Sequence, residues 1–64
     1  MEKATDVNGK AIDFEAAVNL MDDGIREELH AEGIDDPQEF LERYAEAHEL
    51  EFGEGFAPYV GGEW

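Results

Sequence analysis

An excess of carboxylates sets the terms on which this chain can fold. Eighteen Asp and Glu face four Lys and Arg, for a formal net charge of −14 on 64 residues. Self-repulsion on this scale opposes compaction, and acidic chains poor in patterned apolar residues stay disordered. Here 42% of residues are hydrophobic, so the outcome depends on how they are spaced. A chain of this size buries only about 60% of the surface it exposes when unfolded, and no cysteine braces it. The expectation is one small domain over residues 1–64, held together by helix packing. The lack of cysteine excludes a disulfide framework and a thiolate metal site. No apolar run approaches the roughly 18 residues of a membrane span. Met1-Glu2-Lys3-Ala4-Thr5-Asp6 has neither the basic nor the apolar stretch of a signal peptide, so a cytoplasmic location is expected.

The apolar residues are patterned. Thr5-Asp6-Val7 and Lys10-Ala11-Ile12-Asp13 flank Asn8-Gly9, the dipeptide that best tolerates a two-residue hairpin turn, which predicts a short β-hairpin over 4–13. From Phe14 the period changes. Phe14, Val18, Met21, Ile25 and Leu29 fall within an arc of about 80° at 100° per residue, one apolar stripe. This predicts a helix over 14–31, capped by Asp13 and ended at Gly33. Gly24, after Asp22-Asp23, is its weak point: a kink there, or two shorter helices meeting at Asp22, are both open. Asp36 at N-cap, Pro37 at the first helical position and Glu39 at N3 each meet a separate requirement of a helix start, predicting a second helix over 36–52 with Gly53 as its stop. Phe40, Leu41, Tyr44, Ala47 and His48, extended by Phe52, form its apolar face. Residues 53–64 read as an extended aromatic tail, with Phe52 and Phe56 assigned to the core. The predicted fold is mostly α, a small α+β arrangement of hairpin, antiparallel helical pair and tail.

Catalysis finds little support in these residues. There is no cysteine nucleophile and no Gly-rich phosphate loop before a helix. Glu27 and His30 form one Glu-x-x-His step, whereas a di-iron bundle needs two copies and further carboxylates. No catalytic residue, metal or cofactor is expected. The carboxylates say more. Glu39, Glu42, Glu46 and Glu49 lie opposite Phe40, Tyr44 and Ala47 on the second helix, spaced along the axis by about 4.5 to 6 Å, the order of the phosphate spacing in a nucleic-acid strand. An exposed Glu face is common on soluble helices, but these usually carry interspersed cations. Here Asp22 to Arg26 and Glu39 to Arg43 are the well-spaced i,i+4 pairs, and no Lys or Arg follows Arg43. Asp22, Asp23, Glu27 and Glu28 form a secondary acidic patch. Such a surface repels nucleic acid and anionic lipid and attracts basic proteins.

The segments Phe14–Asp23, Ile25–His30 and Gln38–Leu41, with Tyr44, Ala47-His48 and Phe52-Gly53-Glu54, resemble small acidic proteins of phages and conjugative elements. The resemblance spans about residues 5–56 and implies an antirestriction or anti-CRISPR role, with no individual site residue transferred. Two functions follow. In the first, a non-enzymatic inhibitor uses the Glu ridge to imitate nucleic acid in the basic groove of a CRISPR effector or restriction enzyme. In the second, an adaptor or regulatory module docks through its apolar surface and its aromatic tail, with Tyr59 and Trp64 as anchors and a homodimer as one form.

Overall fold

The hairpin is held at both ends by side chains reaching the backbone. In a computed structural model, which describes residues 3–61, β1 (Lys3–Thr5) and β2 (Ala11–Asp13) pair antiparallel with Thr5 opposite Ala11. The connection is longer than the two-residue turn predicted. Gly9 has φ +83° but Asn8 does not enter the left-handed region, so a type I′ turn does not form. Instead the buried Asp6 carboxylate accepts from the N–H groups of Asn8 and Lys10, both at 2.9 Å, closing a wider loop. Val7 N–H donates to the Tyr59 carbonyl at 2.8 Å. That contact with the far end of the chain fixes the loop more firmly than a local turn preference does.

The long first helix is two helices. α1 (Phe14–Asn19) and α2 (Asp23–Ala31) are separated by Leu20–Asp22, so the break precedes Gly24 and the alternative junction at Asp22 is the one observed. The cause is capping. Asp22 has extended backbone and its carboxylate accepts from Ile25 N–H at 3.1 Å, while its own N–H donates to the buried Tyr44 hydroxyl at 2.6 Å. Leu20 and Met21 close the end of α1 with bonds to Ala17 and Val18. The stripe survives: Met21, Ile25 and Leu29 are buried in the core, and Phe14 and Val18 are partly buried against it.

α3 (Pro37–Phe52) begins with Asp36 accepting from Glu39 N–H and ends at Gly53 in the left-handed conformation, φ 75°. It runs antiparallel to α2: Ile25 and Glu28 lie beside Glu51 and Phe52, and Leu29 and Glu32 beside Arg43 and Ala47. At about 1.5 Å per residue, its 16 residues span most of the molecule's 28 Å long axis. Phe40, Leu41, Tyr44 and Ala45 supply the centre of the core. Phe56 is buried against Tyr44, ring centroids 4.5 Å apart, as expected, but Phe52 is 49% exposed: it is the last residue of α3, and its ring lies against His48 of the same helix, centroids 4.7 Å apart. The chain after Gly53 is not wholly extended. Pro58 is fully buried and begins, with Ala57, a short helix α4 (Ala57–Val60). Residues 62–64, and with them Trp64, lie outside the described residues.

Candidate functional site

The candidate surface is the outer side of α3 and the two grooves that flank it. Glu39, Glu42, Glu46 and Glu49 are all exposed along this one helix. Their internal partners are few. Arg43 lies 3.7 Å from Glu39 and 4.0 Å from Glu32, and Gln38 Nε2 donates to Glu42 at 3.0 Å. Among the described residues, Glu46 and Glu49 have no cation within ion-pair distance. Glu39 and Glu42 are thus partly answered from within the molecule, whereas Glu46 and Glu49, among the described residues, are not.

On one flank, Glu42, Glu46 and Glu49 line a groove of ≈ 390 Å³ whose opposite wall is Val7, Tyr59 and Val60. Three of the predicted ridge residues therefore meet the predicted anchor Tyr59, which is half-buried. On the other flank, Glu46 joins Leu29, Glu32, Arg43, Ala47 and Leu50, where Leu50 is 83% exposed. Glu46 is common to both grooves and stands on the crest between them.

The secondary acidic patch is divided. Asp22 uses its carboxylate as a helix cap. Arg26, expected to pair with Asp22, pairs instead with Asp23 at 3.0 Å, because the cap has turned Asp22 toward the Ile25 N–H. Glu27 and Glu28 are exposed. Asp22 and Glu28 line a third groove with Glu51 and Phe52, distinct from the one lined by Glu42 and Glu49. Glu51, Val7 and Val60 line these grooves but were not among the residues predicted from the sequence. Glu51 lies off the arc of the ridge, on the side of α3 turned toward α2, and Val7 reaches the site only through the bond from its N–H to Tyr59. None of the three positions has a local signal in the sequence.

Of the two histidines, His30 lies against Phe40, ring centroids 5.0 Å apart, and His48 Nδ1 donates to the Glu54 carbonyl at 3.0 Å. Among the described residues, no three His, Asp or Glu side chains converge to hold a metal, and no helix is long and apolar enough to cross a membrane. One titration is displaced. Burial pushes the Tyr44 hydroxyl above the usual phenol range, the bond from Asp22 N–H opposes this, and the nearby Asp22 charge adds to it.

Residues 5–56 match the model of the family described as Anti-CRISPR protein AcrIC5. The chain belongs to this family. The match begins in the hairpin and ends at Phe56, so the AcrIC5 region contains β2, α1, α2, α3 and the whole carboxylate ridge. A search of curated proteins gave no match. Membership of the AcrIC5 family makes the chain an inhibitor of CRISPR defence that binds a CRISPR–Cas component, and places the resemblance seen in the sequence on its anti-CRISPR side.

Proposed function

We propose that the chain inhibits CRISPR defence by laying the α3 ridge into a basic, nucleic-acid-binding groove of a CRISPR–Cas component, where Glu39, Glu42, Glu46 and Glu49 take the place of phosphates. It acts by occupancy, without turnover. The observation that carries this reading is the exposure of four carboxylates along one rigid helix, the last two lacking any internal cation among the described residues. From Glu39 to Glu49 the ridge extends about 15 Å along the axis, enough to follow several phosphates of a strand. Asp22, Asp23, Glu27 and Glu28 add to the attraction at longer range. They contribute less at contact, since Asp22 and Asp23 are already engaged.

The test is competition. A purified CRISPR effector complex should bind the chain with an affinity that falls as salt rises, and target DNA should displace it. The Glu46→Lys, Glu49→Lys double variant should lose inhibition by about 100-fold, because two attractive contacts become repulsive. Affinity that is indifferent to both salt and these substitutions overturns the proposal.

A further inference from the structure

We infer that the groove between the carboxylate ridge and α4 receives an apolar side chain flanked by Lys or Arg on the CRISPR–Cas component; this rests on the ridge reading above and makes the contact a composite of charge and burial. The two walls of the groove differ in kind. One carries Glu42, Glu46 and Glu49; the other carries Val7, Tyr59 and Val60. Val7 is 57% and Val60 48% exposed. A lone exposed valine needs no explanation, but these two come from opposite ends of the chain and are brought together by the Val7 N–H bond to the Tyr59 carbonyl. Gly55 helps to set this wall, since a Cβ there would stand 2.9 Å from Val60 Cγ1.

The chemistry of the occupant follows from the walls. An apolar group against the valines would place its neighbours beside Glu46 and Glu49, which have no cation of their own among the described residues. Those neighbours must be positive. Nucleic acid is repelled by the same wall, and a second copy of the chain would bring another net charge of −14 to it. A protein segment with one buried apolar anchor and a basic surround is the arrangement that interfaces favour.

The test uses two synthetic peptides, one with a single leucine flanked by arginines on both sides, the other with serine in place of the leucine. Titrated into the isotopically labelled chain, the leucine peptide should bind about fivefold tighter or more and shift the amide signals of Val7, Tyr59 and Val60. The Val7→Ser, Val60→Ser double variant should erase that preference and inhibit a purified CRISPR effector complex about tenfold less well, with its salt dependence retained. Equal binding of the two peptides overturns the inference. So do shifts centred on Leu29 and Leu50, or a rise in leucine-peptide affinity when the chain is ended at Gly61, which would make residues 62–64 the occupant. If the double serine variant inhibits fully while Glu46→Lys, Glu49→Lys does not, the groove falls and the ridge stands. If the lysine variant also inhibits fully, the ridge reading falls separately.

Discussion

Two side chains, Tyr44 and Gln38, join parts of the chain that their own neighbourhoods do not connect. The Tyr44 hydroxyl, fully buried, accepts the Asp22 N–H that the broken helix leaves over. Its folded pKa is raised, mainly by burial, so the neutral phenol is favoured in the folded state. The stability that follows is fully present below the unfolded value of about 10 and is lost as pH rises through the folded value. Thermal unfolding measured across this alkaline range should therefore show a decline that Tyr44→Phe reduces, while at neutral pH the same variant costs about 1 kcal/mol for the lost acceptor. Gln38 works at the edge of β1. Its Oε1 accepts from Thr5 N–H at 2.6 Å and its Nε2 donates to the Thr5 carbonyl at 3.1 Å, completing one side of the strand as a further strand would. Gln38→Ala should cost about 1–3 kcal/mol and accelerate amide exchange at Thr5. Unchanged exchange there would show that the strand does not depend on this side chain.

At the level of elements, the start of α3 was legible outright, and the break between α1 and α2 only as one of two open readings, a junction at Asp22 beside a continuous helix kinked at Gly24. Asp36, Pro37 and Glu39 specify a helix start within four residues, independently of the rest of the chain. Asp36→Ala should cost about 1 kcal/mol and fray the first turn. The apolar stripe from Phe14 to Leu29, by contrast, keeps its phase whether or not the helix is continuous. What decides is a distant acceptor, Tyr44 Oη, together with the Asp22 cap, and neither is visible in the spacing. Asp22→Ala should likewise cost about 1 kcal/mol without fusing α1 to α2, because the Tyr44 contact and the short-range bonds of Leu20 and Met21 remain. Backbone chemical shifts that turned helical at Leu20–Asp22 in this variant would show that the cap alone makes the break. The ridge was legible because it lies within one helix. The grooves beside it were not, because each needs a wall from another element, and α4 (Ala57–Val60) was hidden by reading the glycines on either side of it as signs of an extended chain.

For the molecule as a whole, the charge proposed to serve binding works against folding. Self-repulsion from a net charge of −14 acts on a small core, in which ten apolar residues are buried among the described residues, with Tyr44, Leu41 and Pro58 the largest fully buried side chains. Salt screens both interactions, but with opposite consequences. Raising NaCl should stabilise the isolated chain, and a gain of about 1 kcal/mol would lift its melting temperature by about 4–8 °C, while the same salt weakens its hold on a CRISPR effector complex. The Glu46→Lys, Glu49→Lys variant separates these effects. Each exchange reduces the net negative charge by two, so the variant should melt higher than the parent at low salt and respond less to added salt, yet inhibit far less well. Calorimetry and an interference assay on the same samples check both halves. If the variant melted lower, the ridge glutamates would be contributing to the fold, and their crowding on α3 would need no explanation in a partner. If it melts higher, the carboxylates are held on α3 at a cost to stability, which is what a surface selected for contact with a basic groove requires.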